Sequence, residues 1–195
     1  MLLANQVRPA VVMLLLFTLV MGLIYPFAVT ALAQMLFPAQ ANGSLIIVDG
    51  NIVGSELIGQ RFDDPAYFWP RPSATGPFTY NAAASSGSNL APASPDLLAA
   101  VEERIAALRA ADPENDLPIP VDLVTTSGSG LDPHISPAAA EYQVARVARV
   151  RELDGKQLRA LVQKHTEARQ LGLGEPRVNV LQLNLALDTL TGQME

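Results

Sequence analysis

The stretch AVVMLLLFTLVMGLIYPFAVTALAQML, residues 10–36, decides how this chain is organised. No charged side chain occurs from residue 9 to residue 48. Because about 20 apolar residues in a helix cross the hydrocarbon core of a bilayer, the stretch predicts one transmembrane helix over residues 10–36. A short segment, residues 1–9, precedes it. The remainder, residues 37–195, is long enough for one domain with its own core.

The flanking charges predict an orientation. Arg8 is the only basic residue before Arg61, and positive charge beside a span favours the cytoplasmic side. We therefore expect residues 1–9 in the cytoplasm and residues 37–195 as an extracytoplasmic domain. A cleaved signal peptide is the alternative, since Ala31-Leu32-Ala33 has the small-x-small pattern; an apolar region longer than the usual 7–15 residues or so favours a retained helix.

Composition excludes several kinds of chemistry. The chain has no cysteine, so it has no disulfides, thiol catalysis or zinc–thiolate site. Its net charge of −6 argues against binding nucleic acid. With only two histidines, we expect no metal site, and no sequence feature indicates a firmly bound cofactor.

Local signals outline the domain. Asp49-Gly50 between short apolar runs predicts a β-hairpin. Serine–proline pairs predict helix starts at Pro95 and at Pro137, with the first helix ending at Asp112-Pro113 and the second near Arg151. A third helix begins at Asp154 and is expected to close near Gly172.

The remaining segments are short and apolar. Residues 121–125 read as a strand, and a second strand begins at Val178, followed either by more strand or by a helix. In the second helix we expect Ala140, Val144 and Val147 to face inward and Arg146 and Arg149 to face outward. The elements together predict an α+β domain with few short strands and three or four helices.

Residues 63–95 contain few aliphatic side chains and many Pro, Ser, Asn and Ala residues. The aromatic residues argue against disorder; they are Tyr67, Phe68, Trp69, Phe78 and Tyr80. The segment is therefore predicted to be an ordered loop that packs on its own domain or on a partner.

The run SGSGLDPH, residues 127–134, admits three interpretations. Glycine-rich loops can bind phosphate through backbone N–H groups, but this run lacks the Walker pattern. A serine hydrolase would use Ser127 or Ser129 as nucleophile, His134 as base and Asp132 as orienting group, without the G-x-S-x-G motif. A tight polar turn before a helix is the simplest interpretation.

Two further features have competing explanations. LDGKQ, residues 153–157, is either a degenerate nucleotide signature of the LSGGQ type or a capping box, with Asp154 as N-cap and Gln157 at the third helical position. His165 lies on an apolar helix face and is predicted to be a packed core residue.

The chain resembles the C subunit of the Kdp potassium-transporting P-type ATPase of bacteria. The motifs that carry the resemblance are Arg8-Pro9-Ala10, Tyr25-Pro26, QANGSLI (residues 40–46), Gly54-Ser55, LIGQ (residues 57–60), Phe62, Tyr67-Phe68, RPSA (residues 71–74), Tyr80-Asn81, SGSNL (residues 86–90), VTTSGSGLDPHISPAAA (residues 124–140), Gln143, RVA (residues 146–148) and VNVLQLNLALD (residues 178–188).

The resemblance implies a non-catalytic subunit of a high-affinity potassium uptake complex in the bacterial inner membrane. Its partners would be a channel-like subunit that carries K⁺, a P-type ATPase subunit, a small single-span subunit and membrane lipid. The family is described as a catalytic chaperone that raises the ATP affinity of the ATPase subunit, with nucleotide contact falling on Gln157. ATP would act through the complex. Residues implied in structure or partner contact are Arg71, Pro72, Ser73, Tyr80, Asn81, Ser88, Asn89, Ser127, Gly128, Ser129, Gly130, Asp132, Pro133 and His134.

Overall fold

The computed structural model describes residues 2–169 and 172–192, with side chains from Gln6 onward. Two compact units divide the chain at Leu45. The first unit contains the apolar helix and the second contains the mixed helix-and-sheet domain. The predicted fold class, an α+β domain preceded by one apolar N-terminal helix, is therefore confirmed.

The first unit is one long helical segment with an irregular middle. It consists of α1 (Leu2–Leu19), a π-helical turn (Val20–Ile24), α2 (Tyr25–Leu36) and the short α3 (Pro38–Ala41). Residues 6–36 are long and apolar enough to cross a membrane. The Tyr25 N–H bonds the Val20 carbonyl, five residues back. The wide turn lies immediately before Pro26, which has no N–H to continue the regular ladder.

The predicted hairpin is confirmed. Strands β1 (Leu45–Val48) and β2 (Asn51–Ser55) pair with each other. Asp49 and Gly50 have φ angles of 50° and 78°. Positive φ at both central residues is the requirement of the type I′ turn, whose twist matches that of the strands it joins.

The segment predicted as a strand at residues 121–125 is instead a 3₁₀ turn, and that prediction is wrong. Helix α4 (Pro95–Ala111) comes first, and the turn covers Val121–Leu123. The Leu123 N–H bonds the Pro120 carbonyl at 3.1 Å and the Thr125 N–H bonds the Val121 carbonyl at 2.9 Å. These local bonds satisfy the backbone, so the β-branched composition does not produce a strand.

The C-terminal half builds a small sheet covered by helices. Its elements in chain order are β3 (His134–Ile135), α5 (Pro137–Val150), α6 (Gly155–Lys164), β4 (Thr166–Glu167), β5 (Arg177–Asn179) and α7 (Val180–Leu190). The sheet has the order β3-β5-β4, and both pairings are antiparallel. Ile135 and Thr166 flank Val178 on its two sides.

The three-stranded sheet shows which structure follows the strand at Val178 and where the third predicted helix ends. After Val178 the chain leaves β5 and enters α7, so strand followed by helix is correct. Helix α6 ends at Lys164, earlier than the predicted position near Gly172, because Thr166 joins the sheet beside Val178. His165 caps the helix end and is half-buried, and burial lowers its pKa.

The core lies between α5, α6, α7 and the sheet. Its fully buried members, each with at most 2% exposure, include Phe68, Ile135, Ala140, Val144, Val147, Leu158, Val178, Leu183 and Leu187. The inward face predicted for α5 is therefore confirmed. The strands of the three-stranded sheet contain only two or three residues each, so packing of the helices, more than the ladder of hydrogen bonds, stabilises this core.

Arg146 was expected to face outward, and that prediction is wrong: its exposure is 2%. The guanidinium lies 4.5 Å from the centre of the Trp69 ring. It also donates to the Pro65 carbonyl at 2.5 Å and to Gln143 Oε1 at 2.6 Å. Burial lowers the pKa of Arg146 to about 10. Helical periodicity could not show this, because the Pro65 carbonyl and the Trp69 ring that cover Arg146 come from a distant loop. Arg149 is about half-exposed, as expected.

Two side-chain amides fix that loop to the core. Gln143 accepts from the Trp69 N–H at 2.7 Å and donates to the Trp69 carbonyl at 3.1 Å. Asn184 does the same for Phe68, at 2.9 and 3.0 Å. Both amides are 1% exposed. The aromatic loop therefore packs on its own domain at residues 68–69, one of the two alternatives that the sequence left open.

We predict that Gln143→Ala destabilises the protein by about 2–4 kcal/mol, because it leaves two backbone groups of Trp69 and one donor of Arg146 unpaired. The melting temperature of the detergent-purified chain should fall by roughly 5–10 °C. Gln163→Ala, on the exposed face of α6, is the matched control. Equal melting temperatures for the two variants would contradict a stabilising role of the hydrogen bonds between Gln143 and Trp69.

Candidate functional site

The two regions richest in sequence motifs lie against each other. We call residues 71–90 and 126–134 the paired loops. Arg71 joins them: its Nη1 lies 3.1 Å from Asp132 Oδ2 and its Nη2 donates to the Thr126 carbonyl at 3.2 Å. Positions that are far apart in sequence therefore form one surface.

Serine hydroxyls and backbone groups hold the loops together along their length. Ser73 Oγ donates to the Gly130 carbonyl at 2.7 Å and accepts from the Tyr80 N–H at 2.9 Å. The Ser129 carbonyl accepts from the Ser86 N–H, and Thr126 Oγ1 bonds Ser88 Oγ at 3.3 Å. These bonds give the paired loops a defined shape although they contain little regular secondary structure.

Glycine is required at Gly130 because the chains approach too closely for a side chain. Its φ is +67°, and a Cβ there would lie 2.6 Å from both the Ser86 carbonyl oxygen and Thr75 Cγ2. Gly128 differs, since a Cβ there would meet nothing within 4 Å. The glycine-rich run thus permits loop packing, which favours a tight polar turn over a phosphate-binding loop.

Tyr80 and Asn81 shape the first loop from within. Tyr80 has a φ of +58°, and its hydroxyl donates to the Arg71 carbonyl. Burial, with the neighbouring Asp132 charge, raises the pKa of Tyr80 well above its usual value. Asn81 donates to the Gly76 carbonyl at 2.8 Å and accepts from the Ala83 N–H at 3.1 Å. Asn89 also has a positive φ, +51°.

Asp132 is the charged centre of the second loop. Its Oδ1 accepts from the His134 N–H at 3.0 Å and lies 3.2 Å from His134 Nδ1. Burial alone would raise the pKa of Asp132, but the bonds from His134 and the charge of Arg71 lower it below the usual value. The Asp132 carboxylate therefore stabilises the conformation of the second loop. The Pro133 carbonyl accepts from the Val180 N–H at 2.9 Å, which ties this loop to α7.

The hydrolase residues are only partly brought together. Asp132 contacts His134, but Ser127 Oγ accepts from the Gly130 N–H at 2.9 Å and Ser129 Oγ from the Leu131 N–H at 3.1 Å. Across residues 2–169 and 172–192, no hydrogen bond joins either hydroxyl to His134. Both serines stabilise the turn.

Gln157 lies elsewhere, on α6. The N-cap interpretation of Asp154 is supported, because Asp154 Oδ1 accepts from the Lys156 N–H at 2.9 Å. The Gln157 side chain is exposed and makes no hydrogen bond within the described part of the chain, so the return half of the predicted capping box is absent there. It takes no part in the paired loops.

One feature escaped the sequence reasoning: a cleft of about 430 Å³ between α4 and residues 61–80. Arg104 lines it, together with Trp69, Arg71 and Tyr80. The sequence feature that could have indicated this cleft is the position of Arg104 in α4, next to the apolar stripe formed by Val101, Ile105 and Leu108.

The structure defines a protein with one apolar helix, long enough to span a membrane, followed by a small α+β domain that carries the paired loops. Comparison with known proteins identifies its family. The family model for the K⁺-transporting ATPase c chain, KdpC, matches residues 7–189. The chain belongs to this family.

Relatives agree over nearly the full length. A potassium-transporting ATPase KdpC subunit from Methylococcus capsulatus is 65% identical over 187 residues, covering 95% of this chain and 98% of the relative. The same subunit from Polaromonas naphthalenivorans is 65% identical, with 95% of each chain covered. That from Herpetosiphon aurantiacus is 63% identical, covering 94% of this chain and 95% of the relative.

We predict that Gly130→Ala loosens the paired loops while Gly128→Ala does not. The left-handed φ and the close contacts at Gly130 should together cost about 2–4 kcal/mol. Hydrogen–deuterium exchange should then speed up in peptides covering Ser86 and Gly130. Unchanged exchange in Gly130→Ala, or equal acceleration in both variants, would contradict the close packing.

Proposed function

We propose that this subunit supports assembly of an ATP-driven, high-affinity potassium uptake complex and raises the ATP affinity of its ATPase subunit indirectly. One observation carries the proposal: the paired loops present Phe78 at 63% exposure on a rigid frame. Thr75 Oγ1 donates to the Phe78 carbonyl at 2.8 Å, and the Ser73 hydroxyl holds Tyr80. An aromatic side chain on a preorganised loop suits a protein interface, because little entropy is lost on binding.

The proposed setting is a bacterial inner membrane. Residues 1–9, with Arg8, are cytoplasmic, one helix crosses, and the domain is extracytoplasmic. The orientation is supported by the position of Arg8 beside the apolar helix and by the absence of basic residues from there to Arg61.

The proposed partners are a channel-like subunit, a P-type ATPase subunit and a small single-span subunit. K⁺ is carried by the channel-like subunit, because an ion pathway at membrane depth requires polar groups from several segments. This chain has no charged side chain from residue 9 to residue 48, the stretch that contains the apolar helix. The contribution of this chain is therefore binding and positioning.

Affinity purification of the tagged full chain from gently solubilised membranes tests the proposal. We expect a multi-span protein and a P-type ATPase to co-purify with potassium-stimulated ATP hydrolysis. Phe78→Ala should reduce recovery of the complex, whereas Leu173→Ala, at a similarly exposed apolar residue (76%), should not. A chain that purifies alone and without activity would overturn the proposal.

A membrane-attached hydrolase is the second candidate, favoured only by the contact between Asp132 and His134. It requires Ser129 as nucleophile. Full potassium-stimulated activity in Ser129→Ala would exclude a catalytic role of that hydroxyl in the complex, whereas loss of activity with the complex intact would favour the hydrolase.

We predict that Gln157→Ala leaves the ATP affinity of the assembled complex unchanged, because the extracytoplasmic placement separates this side chain from cytoplasmic ATP. Nucleotide titrations of potassium-stimulated hydrolysis would measure it. Helix α6 should keep its stability, because the exposed Gln157 side chain makes no hydrogen bond among the described residues and alanine is a strong helix former. A clear loss of ATP affinity with an unchanged melting temperature would instead indicate direct nucleotide contact.

A further inference from the structure

The cleft between α4 and residues 61–80 is lined by more arginines than carboxylates. The chain is acidic overall, with a net charge of −6, yet Arg61, Arg71 and Arg104 all line this cleft. Arg61 pairs with Asp63 at 2.6 Å on the exposed rim, and Arg71 pairs with Asp132 at 3.1 Å. Two of the three cations therefore have carboxylate partners.

Arg104 is different. Its Nη1 donates to the Val124 carbonyl at 2.7 Å, and no salt bridge reaches it from any carboxylate within residues 2–169 and 172–192. The residue is half-buried. Burial lowers the pKa of Arg104, and the charge of neighbouring Glu103 offsets part of that effect. A guanidinium has five donors, so one backbone acceptor leaves most of its binding capacity available.

The rest of the lining indicates what kind of anion fits. Trp69, Tyr80 and Phe62 supply aromatic surface, and Pro70 and Pro72 supply rigid apolar surface. Such walls are typical of grooves that accept extended peptide, with a polar group fixing the register. Asp63 and Glu103 at the same cleft disfavour a multiply charged phosphate. A single carboxylate on a peptide matches Arg104, the arginine of this cleft for which the described residues supply no salt bridge.

We propose that this cleft binds an acidic extracytoplasmic peptide segment of a partner subunit, with a partner carboxylate paired to Arg104. The inference rests on the proposed function, because it requires the domain to meet another subunit. It adds a second contact to that function, separate from the exposed Phe78. A carboxylate is a good acceptor here because a guanidinium pairs with it through two parallel hydrogen bonds.

Photo-crosslinking within the purified complex tests the assignment. A benzophenone amino acid replaces Ala107, which lines the cleft, or Ala106, its exposed neighbour on α4 that does not line it. We expect a crosslink from position 107, and not from position 106, to a peptide of another subunit that contains Asp or Glu. A crosslink to lipid alone, or none, in an active complex would overturn the proposal.

Charge variants then test Arg104 itself. Arg104→Gln should weaken binding of the chain to the other subunits about tenfold, because the charged hydrogen bonds to the partner carboxylate are lost. Arg104→Lys should retain part of the affinity. Arg109→Gln, the same charge change on the exposed face of α4, is the control and should have no effect. Equal affinities for Arg104→Gln and Arg109→Gln would overturn the proposal.

Two outcomes separate this inference from the proposed function. If no complex co-purifies, the subunit role fails. If an active complex forms without the position-107 crosslink, only the cleft assignment fails. If Arg104→Gln does not fold, as judged by its melting temperature, the partner carboxylate is neutralised instead, in the peptide that the crosslink identifies. A tenfold loss of affinity would then support the ion pair with Arg104, and an unchanged affinity would overturn it.

Discussion

The hydrogen bonds between the Gln143 amide and the backbone of Trp69 are the constraint on which the domain depends. The sheet is too small to organise long loops, since its strands have two or three residues. Buried amides on α5 and α7 hold residues 68–69 instead, and Arg146 and Arg151 stack on Trp69 and Tyr67 at 4.5 and 4.4 Å. The backbone N–H and carbonyl groups of Phe68 and Trp69 are all paired with the Asn184 and Gln143 amides, so burying these two residues leaves none of these groups without a hydrogen bond.

The hydrogen bonds at Trp69 also position the paired loops, because the first of these loops begins only two residues later in the chain. Once Trp69 is fixed, Arg71 follows closely enough to bond both the Asp132 carboxylate and the Thr126 carbonyl. Asp132 in turn orders its loop through His134, and the loop is fixed to α7 by the Val180 N–H. The paired loops are therefore an extension of the core. Their rigidity comes from helices α5 and α7, even though the loops lie outside them.

The sequence predicted the parts of this fold that local chemistry determines. Caps at Ser136 and Asp154, the Asp49-Gly50 turn and the apolar helix depend on neighbouring residues, and each formed as expected. Burial of Arg146 could not be predicted, because the Pro65 carbonyl and the Trp69 ring that cover it are more than 70 positions away in sequence. Residues 121–125 had strand composition but no partner strand. The motif residues of the site were predicted individually, whereas their pairing and the Arg104 cleft required the fold.

Trp69 links the core, the loops and the cleft. Its backbone is held by Gln143, one face of its ring contacts Arg146, and the ring also lines the cleft that contains Arg104. A segment that fills the cleft would remove this ring further from water and strengthen its interaction with Arg146, because electrostatic attraction grows as the local dielectric falls. Binding at the cleft would then stabilise the same contacts that order the paired loops. Two surfaces distant in sequence would respond together through one side chain.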